Sequence, residues 1–242
     1  MIKIIYFIIL SYFVLGGIGF YFINRKREAD IARKSYTKFI TYFFIIHILF
    51  FSIVINPVYF NIMAIAIIAM GAVELFKLYK QSAFQNTLFY ILSNIVFAAS
   101  SIGFLYFSKL PKEVILFSFL ILSIFDSFSQ ISGQLWGKTK LLPTISPNKT
   151  LGGLIGGAIT AIASAYLLKG LYEATVINTI ILVLGIVLFA FLGDIASSFF
   201  KRKYKVKDYS NLIPGHGGFL DRFDSLIAGG LWVTIYFQSI QL

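Results

Sequence analysis

Long apolar stretches, broken at short intervals by polar ones, set the pattern of this chain. A bilayer span needs roughly 20 mostly apolar residues. Runs of that kind fall at about 4–23, 39–56, 58–76, 87–107, 114–133, 151–168, 176–199 and 225–241. The pattern predicts about eight transmembrane helices in one all-α polytopic bundle. Little more than Asn56-Pro57 separates the second run from the third. That is a tight hairpin, because proline cannot continue the helix before it. The first run is too long for a signal peptide, lacks a small-residue cleavage site and is followed by its basic cluster, so it reads as a retained anchor. No water-soluble domain or repeat remains between the runs. The expectation is a single membrane domain over 1–242, with N-terminal helices in 1–113 and the polar motifs in 114–242.

Composition narrows the class. The chain is 58% hydrophobic and only 13% charged, with 27 Phe and no Cys. Those values exclude a soluble globular enzyme, a disulfide scaffold and a disordered chain. The net charge of +11 would suggest nucleic acid in a soluble protein. Here its position decides. Arg25, Lys26, Arg27, Arg33, Lys34 and Lys38 follow the first run, and alternation from there puts seventeen of the 21 basic residues on one side. Lys3, Lys109, Lys112 and Lys169 stay on the other. The positive-inside rule makes the crowded side cytoplasmic. The basicity is therefore in part an orientation signal; the bilayer is a partner and nucleic acid is not.

Ten carboxylates remain to be placed. Glu28 and Asp30 lie in the first basic loop, where pairing with neighbouring cations is expected, and Glu113 and Glu173 lie in short outer loops. Glu74, Asp126, Asp194, Asp208, Asp221 and Asp224 all fall towards the cytoplasmic side. Asp126 and Asp194 interrupt apolar runs, where an ionised group is costly unless paired or hydrated. Two of them on different helices predict the walls of a polar cavity; separate structural ion pairs are the plainer alternative. Asp221 and Asp224 are three apart and share one helix face. Such a pair asks for a cation or a helix N-terminus beside it. Oxygen donors without Cys favour Mg²⁺ over zinc or copper.

Two loops carry most of the polar residues. In the first, Ser146-Pro147 predicts a helix start, with serine as N-cap and proline at the first helical position. Lys149, Thr150 and then Gly152 and Gly153 follow, giving a candidate phosphate site and a helix able to pack closely. The second loop begins with Lys201, Arg202, Lys203, Lys205 and Lys207, which by themselves describe a juxtamembrane basic patch. Pro214-Gly215-His216-Gly217-Gly218 is different. Its glycines allow backbone angles closed to other residues, so amides and an imidazole can approach a ligand. Cations, a glycine turn and paired carboxylates together describe a site for a metal-bound nucleotide phosphate.

The segment from Ser198 to Asp224 resembles the hallmark motif of the phosphatidate cytidylyltransferase (CDP-diacylglycerol synthase) family, through S-x-x-K-R, K-D, I-P-x-H-G-G and D-R-F-D without a gap. The stretch from Asp126 to Gly153, with S-P-N-K-T, resembles the preceding family region, and Gly193-Asp194 its G-D element. The chain departs from the family at Ser197 and Gly152, where acids are usual, and at Ser129-Gln130, where Ala-Tyr is common. The resemblance implies transfer of the cytidylyl group of CTP to phosphatidate, in the inner membrane of a bacterium, with the site facing the cytoplasm. It implies catalytic roles for Asp221, Asp224, Lys201, Arg202 and Arg222. It makes Asp221, Asp224, Asp194 and Asp126 the ligands of Mg²⁺. Ser146, Lys149, Thr150, Lys207, Asp208, His216, Gly217 and Gly218 would line the substrates, with His216 as a hydrogen-bond donor rather than a base. It leaves room for a second cation and for a homodimer. His47, mid-span without an acidic companion, reads as a packed residue. The rivals are a CTP-dependent lipid kinase, a cytidylyltransferase for another lipid phosphate, and a non-catalytic scaffold or regulator. A transporter would show paired interrupted helices in two repeated halves, and none are evident.

Overall fold

The computed structural model describes residues 2–25 and 27–240. Lys26 of the first basic cluster lies outside them. Among the described residues eight helices follow one another: α1 (Ile2–Asn24), α2 (Ala29–Ile55), α3 (Pro57–Gln81), α4 (Thr87–Phe107), α5 (Lys112–Trp136), α6 (Leu151–Leu167), α7 (Val176–Lys203) and α8 (Leu220–Ile240). A short antiparallel hairpin, β1 (Lys140–Leu142) and β2 (Ser146–Thr150), precedes α6. Each predicted apolar run is a helix. Six of them, α1 to α5 and α7, are long and apolar enough to cross a membrane by themselves. α6 is shorter, at 17 residues. α8 carries Asp221, Arg222 and Asp224 in its first turns, which lowers its hydropathy.

α8 is the central helix, packed against α3, α4, α5 and α7. Leu226, Ile227 and Val233 are buried there, whereas Phe7 and Leu15 of α1 and Leu88 of α4 point outward. Apolar outer faces are what a bundle in lipid presents. Helices α2, α3 and α7 run past their apolar segments into Lys- and Arg-bearing turns. Those residues are good helix formers whose stems lie along apolar surface while the charge reaches water. Asn56 caps α3 by accepting from the Val58 amide at 2.9 Å, with Pro57 in the first turn, so the hairpin is as expected. His47 is buried among Phe13, Phe43 and Tyr6 and donates from Nδ1 to the Phe43 carbonyl at 2.8 Å. It is a packed residue.

The helix start expected at Ser146-Pro147 is not there. Ser146 to Thr150 is the strand β2, and α6 begins at Leu151, with the Thr150 hydroxyl accepting from the Gly153 amide at 3.1 Å. A residue before proline is biased to extended backbone, and Thr150 is a competent cap immediately ahead of the apolar run. The close packing expected of the glycines is present. A Cβ on Gly153 would lie 2.6 Å from the Ser129 carbonyl oxygen of α5, and one on Gly157 would lie 2.9 Å from that of Phe125. Gly152 would meet the Trp136 carbonyl oxygen at 2.9 Å, so no side chain, acidic or otherwise, fits at that position.

The connections α1–α2, α3–α4, α5–α6 and α7–α8 gather at one end of the bundle. Contacts tie them together there: Arg202 Nε donates to the Ile145 carbonyl at 3.2 Å, and the Ser210 hydroxyl to Glu74 at 2.6 Å. This is the motif end.

Candidate active site

The chain leaves α7 and turns back at Ile213-Pro214-Gly215-His216. The His216 amide donates to the Ile213 carbonyl at 2.9 Å, and the Ile213 amide to the Gly217 carbonyl at 2.8 Å. Proline at the first corner and Gly215 at φ +76° at the second give the pattern of a type II turn. Gly217, at φ +86°, then directs the chain into α8. A helix start leaves its first amides without partners. Two carboxylates take them here. Asp221 Oδ2 accepts from the Gly218 amide at 2.7 Å and the Tyr209 amide at 2.8 Å. Glu74, reaching over from α3 and 1% exposed, accepts from the Phe219 amide at 2.9 Å and the Leu220 amide at 2.8 Å. Gly218 packs directly on the Glu74 carboxylate, with a virtual Cβ 2.8 Å from its Cδ. The sequence groups Glu74 with the acids of the motif side but assigns it no role. Its one signal is a lone acid in an otherwise apolar stretch, and nothing links it to residues more than a hundred positions away.

Asp221 Oδ1 pairs with Lys201 Nζ at 2.6 Å, and the two side chains are 5% and 9% exposed. The same ammonium lies 5.3 Å from the centre of the Tyr209 ring. Burial pushes the Tyr209 phenol well above its ordinary range, so it stays protonated and donates to the Ser197 carbonyl at 3.3 Å. Both oxygens of Asp221 are thus engaged by protein donors. Arg202 is engaged too: besides Ile145, its guanidinium donates to the Val206 carbonyl at 2.7 Å, which staples the hairpin to the end of α7. Lys207 and Asp208 are exposed on the loop, and Asp208 packs its Cβ 3.1 Å from where a Gly217 Cβ would be.

A second group of charges lines an open cleft. Asp126 from α5, Asp194 from α7 and Asp224 from α8 are near enough to feel one another's charge, together with Lys149 and Arg222. Lys149 Nζ is 2.6 Å from Asp194 Oδ2 and 4.5 Å from the centre of the Phe191 ring. Ser198 donates to Asp194 at 3.3 Å, and the Ser225 amide donates to Asp224 at 2.7 Å. Asp126 is exposed, and the Asp194 side chain is 39% exposed, so the carboxylates face open space. Asp126 and Asp194, expected from the sequence to line one polar site, lie within range of each other's charge. The buried Ser197 hydroxyl, at one of the positions where the chain lacks an acid, adjoins Asp224 and finds no hydrogen-bond partner among the described residues. Thr150 is buried behind the cleft as a cap, and Ser146 is half-buried in β2.

Asp126, Asp194 and Asp224 offer only hard oxygen donors, a set that fits Mg²⁺. Among the described residues no three of His, Cys, Asp and Glu converge into a finished metal cage. Mg²⁺ sites often use one or two carboxylates and are completed by water and substrate phosphate. His216 is half-buried, its ring stacked on Tyr42 of α2 at 6.4 Å. Burial, and then the Arg222 charge, hold its pKa below the usual histidine value, which keeps the imidazole neutral. Tyr42 and the neighbouring Lys38 are further residues that the sequence did not connect to the site.

Residues 112–240 match the cytidylyltransferase family. The chain is 36% identical over 172 residues to the phosphatidate cytidylyltransferase of Staphylococcus saprophyticus and 38% identical over 172 residues to that of Staphylococcus epidermidis. It is 36% identical over 174 residues to that of Staphylococcus aureus. Each alignment covers 69% of this chain and 64% of the relative, so the matched part spans less than two thirds of those proteins.

Proposed function

The chain belongs to the cytidylyltransferase family, and from that membership we propose that it transfers the cytidylyl group of CTP to phosphatidate, releasing pyrophosphate and leaving CDP-diacylglycerol in the membrane. The observation that carries the reading is the cleft in which carboxylates from α5, α7 and α8 face one another beside Lys149 and Arg222. The names of the similar staphylococcal proteins support the choice of lipid. The concentration of Lys and Arg at the motif end supports a site facing the cytoplasm of a bacterial inner membrane, where CTP is available.

The nucleophile is a phosphate monoester with a second pKa of about 6, largely dianionic at neutral pH, so the attack needs no general base. Its oxygen forms a bond to the α-phosphorus of CTP. The bond from that phosphorus to the bridging oxygen breaks, and the electron pair leaves with pyrophosphate. The obstacle is repulsion among anions. Lys149 and Arg222 supply positive charge at the cleft, and Asp126, Asp194 and Asp224 would hold Mg²⁺, which when bound neutralises phosphate charge and polarises the phosphoryl group. Asp221 holds Lys201 and the loop in place, and the neutral His216 serves as a hydrogen-bond donor.

Membranes containing the wild type, given CTP and phosphatidate, should release pyrophosphate and form CDP-diacylglycerol in equal amounts. Asp224→Asn should lower that rate on the order of a hundredfold or more, and chelation of Mg²⁺ should abolish it. A wild type that releases no pyrophosphate with phosphatidate sinks the proposal. Release of CDP instead would identify transfer of the γ-phosphoryl group.

A further inference from the structure

One basic feature is left over by the transfer chemistry. Asp30, Arg33, Lys34, Thr37 and Lys38 of α2 recur at the three-and-four spacing of a single helix face. With Gly215 they line a cavity of about 620 Å³. Among the described residues none of the four charged side chains is in an ion pair. Three cations against one carboxylate thus lie in the first turns of a helix, near the positive pole of its dipole. Like charges in that position are held at a cost that a bound anion would relieve.

The opposite wall is the apex of the motif turn. Gly215 adopts φ +76°, and a Cβ there would lie 2.9 Å from Lys38 Cγ. One turn further along α2, Tyr42 stacks on His216 and feels the charges of Asp126 and Arg222. A single aromatic layer therefore joins the basic cavity to the acidic cleft. Just beyond Lys38, Ile40 and Phe44 are 53% and 56% exposed. The helix passes there from cationic to apolar.

We propose that this cavity docks the phosphate monoester headgroup of the lipid substrate, with Arg33, Lys34 and Lys38 holding the dianion and the acyl chains lying along the exposed apolar face of α2. The proposal rests on the function proposed above and adds the place where its acceptor binds. An amphiphile fits this surface because its charge is attached to hydrocarbon at the level where α2 itself changes character. A phosphate monoester, at about −1.5 to −2, matches the three cations less Asp30. A nucleotide triphosphate exceeds that charge and has no apolar tail to lay on Ile40 and Phe44.

The test uses the full-length protein in neutral detergent micelles, which removes the attraction of a charged bilayer surface, and measures binding calorimetrically without turnover. The probes are dioctanoyl phosphatidate alone, CTP alone and inorganic pyrophosphate alone. The triple variant Arg33→Gln, Lys34→Gln and Lys38→Gln should weaken phosphatidate binding by about tenfold or more and move CTP binding by less than about twofold. Arg33→Lys with Lys34→Arg keeps the charge and should stay within about threefold of wild type. If the triple variant fails to fold by size exclusion, Lys34→Gln alone is used, with an expected loss of about threefold. Unchanged phosphatidate affinity overturns the proposal, and so does an equal loss for CTP or pyrophosphate, which would assign the cations to the nucleotide. A wild type that binds phosphatidate through these residues but makes no product leaves the docking site standing and sinks the transfer reaction.

Discussion

Asp221 and Asp224 share a face of α8, yet they do different work because of where the helix begins. A carboxylate in the first turn can reach back to the amides of the incoming chain, and Asp221 does so, holding Gly218, Tyr209 and Lys201. One turn later that reach is lost, and Asp224 faces Asp194 across the cleft. Spacing alone leaves a cation and a helix N-terminus both open as partners of the pair, and it is silent about which residue caps. Removing one partner of a buried ion pair costs roughly 3–5 kcal/mol. Lys201→Met and Asp221→Asn should each lower the melting temperature in detergent, and the double variant should lose clearly less than the sum, a coupling that a double-mutant cycle measures. Removing Glu74 leaves the Ser210 hydroxyl and the Phe219 and Leu220 amides without an acceptor, and the buried Leu220 amide alone costs roughly 1–3 kcal/mol. Glu74→Ala should therefore unfold earlier than Glu74→Gln, which keeps one acceptor oxygen, and both should lose transfer activity although Glu74 does not touch the cleft. The pKa of His216 is lowered by folding, so the stability gained from its neutral form is complete above the unfolded value of about 6.5 and lost as pH falls through it. Between about pH 8 and 5.5 the wild type should accordingly lose more melting temperature than His216→Gln.

The elements were legible where a run of apolar residues decides them, and less so where a few polar residues compete. All eight helices follow the apolar runs. The start of α6 does not follow Ser146-Pro147, because the pair is drawn into a hairpin with Lys140 to Leu142 and Thr150 makes the better cap. That strand could not be foreseen from periodicity: it is five residues long and mostly polar. Gly152 and Gly153 were legible as a packing surface, and the nearest atoms of α5 to them are backbone oxygens rather than side chains that might move aside. Gly153→Ala should therefore destabilise by about 1–3 kcal/mol, as overpacking does, and shift the thermal transition downward. Restoring an acid in Gly152→Asp should be worse, since Trp136 offers only a carbonyl oxygen at that point.

For the whole molecule, alternation of the helices puts the motif loops at one end, and the asymmetry of Lys and Arg supports the proposal that this end faces the cytoplasm. The chain has no cysteine, so the assignment can be checked cleanly. A cysteine at exposed Gln85 of the motif end should react with an impermeant maleimide only in inside-out vesicles, and one at exposed Lys109 only in right-side-out vesicles. What the sequence did not disclose is how much the first half contributes to the second. Lys38, Tyr42 and Glu74 all come from helices before residue 112, where the family match begins, and three-dimensional contact alone connects them to the loop at 209–220. That dependence bears on biogenesis. Glu74 and Lys201 are synthesised before α8, so an unfinished chain lacks the amides and the carboxylate that hold them in the folded one. Arrival of α8 supplies partners to both at once, so folding of that helix and assembly of the site are a single event.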